Sequence, residues 1–188
     1  MSNVQKTMPY RKLFSEAVLE KIGENLNDNI HSISSNNFFI NIDEIIKSFG
    51  LSIKEDKLSD EISGLLKDTT IIVNRNHSEN RKRFTKAHEF AHYILNHTGS
   101  NYRTLLEKEY KNPNDYYNEI EANAFAADIL MPAIQIETLY EKFLENNNLD
   151  QSTNLTSQQK QKLYEYVASK LKVSESAASY RLINLGLI

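Results

Sequence analysis

Arg83-Phe84-Thr85-Lys86-Ala87-His88-Glu89-Phe90-Ala91-His92 decides how the rest of this sequence is read. It contains His-Glu-x-x-His. Phe84, Ala87, Ala91, Ile94 and Leu95 recur at helical spacing, and neither Pro nor Gly interrupts Arg81 to Asn96, so the stretch predicts a helix. His97-Thr98-Gly99-Ser100 supplies its stop. His97 is expected there as a polar helix-end residue, turned away from the face of His88 and His92. Four residues apart on a helix, His88 and His92 share one face, one turn above the other. Two imidazoles so placed can hold one tetrahedral metal ion. Glu89 is offset from His88 by about 100°, beside the metal rather than on it. That suits a base taking the proton of a water whose pKa zinc lowers to about 7.

A metal site of this kind needs a third protein ligand. The metzincin pattern would put a glycine at Leu95 and a histidine at Thr98, so it is absent. The inverted His-x-x-Glu-His order is also absent. What remains is a glutamate on a second helix, predicted from Tyr117 to Met131 by apolar residues at 122, 125, 126, 129 and 130 and ended by Pro132. Glu119 and Asn123 share a face of it. Glu119 is favoured as the ligand, with Asn123 accepting the outer N–H of a metal-bound histidine. Glu121, on roughly the opposite side, is the competing candidate.

Arg83-Phe84-Thr85-x-Ala87-His88-Glu89-x-Ala91-His92, followed by Glu119-x-x-x-Asn123-x-Phe125-Ala126-Ala127-x-Ile129-Leu130-Met131-Pro132, resembles the ImmA/IrrE-type zinc metallopeptidases. The resemblance covers residues 50–132 well and 160–186 loosely. It implies zinc on His88, His92 and Glu119, with Glu89 as the catalytic base. It also implies a protein substrate, typically a helix-turn-helix repressor of a mobile genetic element. Phe90-Ala91 stands where the family often has Leu-Gly, and Lys86 where it often has an apolar residue.

Composition narrows the alternatives. The 188 residues suffice for one domain, or for a domain with an appendage. The division expected is a zincin-like peptidase domain with N-terminal helices at 1–150 and a helix-turn-helix-like subdomain at 156–188. A formal charge of −3 gives no general pull toward nucleic acid or membrane. The absence of cysteine excludes disulfides, thiolate zinc sites and cysteine nucleophiles. No apolar run reaches the length of a membrane span. The first residues lack the apolar core of a signal peptide, so a cytoplasmic protein is expected. No glycine-rich phosphate loop or Gly-x-Ser-x-Gly elbow occurs.

Outward from the metal helix, the expected fold class is α+β, a small antiparallel sheet with zincin-like metal helices. Residues 9–28 and 38–49 read as helices. Residues 51–75 read as strands, with a hairpin turning at Lys67-Asp68-Thr69. Ile71 to Asn74 is the candidate edge strand that would pair with an extended substrate. His77, or one of Tyr102, Tyr110, Tyr116 and Tyr117, is a candidate donor to the carbonyl oxygen, with nothing to choose among the tyrosines. Residues 134–146 read as another amphipathic helix, and 146–154 as a polar linker.

Two helices, ending at Lys172 and starting after an N-cap at Ser174, form the helix-turn-helix-like C-terminal unit. A DNA reader carries basic residues on its second helix, and only Arg181 is there. The weighing therefore favours packing or partner binding over direct DNA binding. Two function classes remain: a zinc-dependent endopeptidase, and a regulatory protein binding a repressor or DNA around a structural zinc core.

Overall fold

The computed structural model describes residues 7–34, 38–97, 102–104, 113–150 and 154–188. Along the chain run β1 (Thr7–Pro9), α1 (Glu16–Ile22), β2 (Ser32–Ser34), α2 (Ile42–Ser48), β3 (Ser52–Asp56), β4 (Ile62–Lys67) and β5 (Thr70–Asn74). Then follow α3 (Glu79–Ile94), β6 (Tyr102–Thr104), α4 (Pro113–Leu130), α5 (Ala133–Asn146), α6 (Ser157–Leu171) and α7 (Glu175–Asn184). The class is α+β.

The hairpin forms where the turn residues predict it. Asp68 takes positive φ (52°) in the two-residue connection, and β4 and β5 pair antiparallel from Lys67↔Thr70 to Gly64↔Val73. The sheet differs from the expectation in one respect. Its order is β3-β5-β4-β6, and β3 pairs parallel to β5, Ile53 opposite Ile71. The sheet is therefore mixed, and among the described residues the separate β1–β2 ribbon is the one that is purely antiparallel. Because β5 returns between β3 and β4, Ile71 to Asn74 is a central strand and not an edge. The edges are β3 and β6. Burial of Ile71 and Val73 fits that central place.

α3 packs across β4 and β5. Gly64 permits the approach. A Cβ at Gly64 would overlap Cγ2 of Thr85 on α3 and lie 2.8 Å from the Ile72 carbonyl oxygen. Asn74 closes the start of the crossing. Its Nδ2 donates to the carbonyls of Ser59 and Ile62, both at 3.0 Å, and its Oδ1 accepts from Asn76 N–H at 3.2 Å. Ser78 then caps α3 by accepting from Arg81 N–H at 3.4 Å.

The predicted helix over 9–28 is divided. A 3₁₀ turn spans Tyr10–Lys12, Ser15 caps a fresh start at α1, and a second 3₁₀ turn spans Gly23–Asn25. Of the apolar residues that suggest one helix, Leu13, Val18, Ile22 and Leu26 are buried nonetheless and Leu19 is half-buried. α2 is shorter than predicted, beginning at Ile42. Lys86, placed where an apolar residue was expected, reaches Asp43 on α2, its Nζ lying 3.0 and 2.9 Å from the two carboxylate oxygens.

α6 and α7 are tied to both long central helices. Thr156 and Gln159 close a capping box, and Ser174 caps α7 as expected. Asn80 Nδ2 on α3 donates to Val173 O at 2.9 Å, and Arg83 donates to Lys172 O at 3.2 Å and Leu171 O at 3.4 Å. Arg181 on α7 turns back to α4, 2.6 Å from Asp128 and 2.9 Å from Met131 O. Leu163, Val167, Leu171, Ala178 and Leu182 join the main hydrophobic core.

Candidate metal centre

Helical spacing brings His88 and His92 together as α3 predicts. Their Nε2 atoms are 3.0 Å apart, and both rings are buried. α4 crosses α3 and presents Glu119 to the same point. One carboxylate oxygen lies 3.2 Å from His88 Nε2 and the other 3.2 Å from His92 Nε2. Asn123, one turn further along α4, faces the back of His88, with Oδ1 3.1 Å from Nδ1. Glu89 follows His88 on α3 and is fully buried.

The proton arrangement favours a cation. Asn123 Oδ1 accepts, so His88 carries its proton on Nδ1 and leaves Nε2 with a bare lone pair. Two ring N–H groups cannot face each other at 3.0 Å. Glu119 adds a carboxylate to this lone-pair cluster. Donors about 2.0–2.1 Å from a tetrahedral zinc are about 3.3 Å apart. The spacings here come close to that, so His88, His92 and Glu119 suit a zinc-sized ion and can hold one.

The competing glutamate does not join them. Glu121 is 62% exposed and its carboxylate lies 3.2 Å from His97 Nε2. His97 corrects the sequence reading. α3 ends at Ile94, Asn96 takes a left-handed conformation (φ 54°), and His97 N–H donates to His92 O at 3.0 Å. This closure folds the chain back. It sets His97 Nδ1 3.0 Å from His92 Nδ1, where an uninterrupted helix would have pointed it away.

Of the oxyanion candidates, His77 sits half-buried in the turn before α3, its N–H donating to Asn74 O at 3.2 Å. Tyr116 and Tyr117 are exposed on α4, the backbone of Tyr102 lies in β6, and Tyr110 lies outside the described residues. Arg83 had no role assigned from the sequence. It is half-buried, and desolvation there lowers its pKa to about 10, so it stays charged while bonding the α6–α7 turn. A cleft of about 910 Å³ leads away from Glu119 and Asn123. α7 forms its far wall with Ala177, Tyr180, Arg181 and Asn184.

Residues 46–183 match the M78 peptidase family, described as the IrrE N-terminal-like domain. The chain belongs to that family. Membership brings metallopeptidase chemistry and a polypeptide substrate with it, and the cluster of His88, His92 and Glu119 supplies a possible metal site. No curated protein matches the chain.

Proposed function

We propose that this protein is a zinc-dependent endopeptidase in which His88, His92 and Glu119 hold the metal and Glu89 is the catalytic base. The observation that carries this is the convergence of three side chains from two helices, each pair of them bringing ligand atoms within 3.0–3.2 Å. Zinc held by His88, His92 and Glu119 would polarise the scissile carbonyl and make water acidic enough to lose a proton near neutral pH. Glu89 takes that proton and delivers it to the leaving amine. Asn123 fixes the ring of His88 by accepting its Nδ1–H. The cleft walled by α3, α4 and α7 receives the polypeptide. In this reading residues 1–150 form a zincin-like catalytic domain, and residues 156–188 a helix-turn-helix-like unit that shapes the cleft.

The resemblance to ImmA/IrrE-type peptidases supports a substrate that is a helix-turn-helix repressor of a mobile element, cut in the cytoplasm to release transcription. No helix among the described residues is long and apolar enough to cross a membrane. The alternative, a DNA-binding regulator, is weakened by Arg181. It is the one basic side chain on α7, is 14% exposed, and is engaged by Asp128 and Met131.

The test uses wild type and Glu89→Gln, both loaded with zinc and mixed with a helix-turn-helix repressor as candidate substrate, with products read by mass. Wild type is expected to cut and Glu89→Gln to bind zinc without cutting. Undiminished cleavage by Glu89→Gln would remove the assigned base.

A further inference from the structure

His97 and Glu121 lie behind His92, on the side away from the cluster of His88, His92 and Glu119. Where no metal ion is to lie between them, two ring nitrogens 3.0 Å apart need one proton between them, as at His92 Nδ1 and His97 Nδ1. If His92 offers Nε2 to a metal, its own proton sits on Nδ1 and must be donated to His97 Nδ1. That leaves the proton of His97 on Nε2, where Glu121 Oε2 waits at 3.2 Å. Each link accepts from the one before, and the line ends on a carboxylate. The fold fixes the middle link. The side chain of His97 is only 6% exposed, its ring meets His92 edge-on at 5.0 Å, and its backbone is pinned by the bond to His92 O.

We propose that His97 and Glu121 are positioning residues that hold His92 in the Nδ1–H tautomer and orientation needed to ligate the metal, as Asn123 does for His88. The proposal rests on His92 being a ligand. It gives Glu121 a place outside the ligand set, and it explains why the chain leaves α3 through a left-handed Asn96.

The test is zinc affinity of the full chain, by competition with a chromophoric chelator, together with the melting temperature of the metal-free protein. His97→Ala is expected to bind zinc about 10–100-fold more weakly, with the metal-free melting temperature unchanged. His97→Asn, whose Oδ1 can take the place of the accepting nitrogen, recovers most of the affinity, whereas His97→Leu does not. This pair decides the matter even if His97→Ala folds poorly. Glu121→Gln costs less than His97→Ala, and adds nothing on the His97→Leu background. Zinc affinity of His97→Leu within about threefold of wild type, or full additivity of Glu121→Gln, overturns the relay. Wild type that takes up no zinc overturns the metal-site reading itself, and the relay with it.

Discussion

Gly64→Ala probes how the sheet positions the metal helix. The added methyl would overlap Thr85 Cγ2 and stand 2.8 Å from the Ile72 carbonyl oxygen. An unstrained contact is about 3.5 Å or longer, so β4 must shift by about 0.7 Å from the Ile72 carbonyl on β5, and strand and helix must separate further still to clear Thr85 Cγ2. Overpacking of this kind costs about 1–3 kcal/mol. For a chain of this size that lowers the melting temperature by about 2–4 °C per kcal/mol. The displacement also reaches the chemistry, because Thr85 lies three residues before His88 on the same helix. A misplacement near 1 Å can reduce turnover by about 10²-fold. Urea denaturation of the metal-free protein gives the first quantity and peptidase rate the second. Thr85→Ser, which removes Cγ2, should restore part of the stability in the Gly64→Ala background and so give a coupling between the two sites. A Gly64→Ala protein within about 0.5 kcal/mol of wild type, with an unchanged rate, would refute the close-approach argument.

Other outcomes follow from the same geometry. Arg83→Met removes the donor that serves the carbonyls of Leu171 and Lys172, and should cost about 2–3 kcal/mol in urea denaturation. Tyr180→Ala, in the far wall of the cleft, should raise KM about fivefold through lost aromatic contact while zinc content and kcat hold. Chelation of zinc should lower the melting temperature. At free zinc a thousand times Kd the lost stabilisation is about 4 kcal/mol, and Glu119→Ala should abolish that difference in a thermal scan. Arg181→Ala should leave duplex DNA binding at the level of wild type, since the guanidinium is already held by Asp128 and Met131.

Much of the site was legible because helices impose fixed spacings. His88 with His92, and Glu119 with Asn123, each needed only the four-residue rule, and the structure brings all four together. The sheet was less legible. Alternation locates strands but does not say which pair, so the parallel β3–β5 contact and the central place of β5 went unread. A signal existed: Ile71-Ile72-Val73 is an unbroken apolar run, the pattern of a strand buried on both faces. His97 was misread because helical projection was carried past the helix. Asn96 was the cue, a residue that tolerates the left-handed turn ending α3. Gly64, Arg83 and the Lys86–Asp43 pair depend on partners distant in the chain, which no local pattern supplies. Arg83 in particular ties α3 to the α6–α7 turn, 88 and 89 residues further on.

Anomalous scattering at the zinc edge, from crystals of the zinc-loaded protein, bears most directly on the central claim. The account predicts one peak bonded to Nε2 of His88, Nε2 of His92 and the carboxylate of Glu119, each at about 2.0–2.2 Å. A peak at any other side chains, or none at a protein shown to carry zinc, would contradict it.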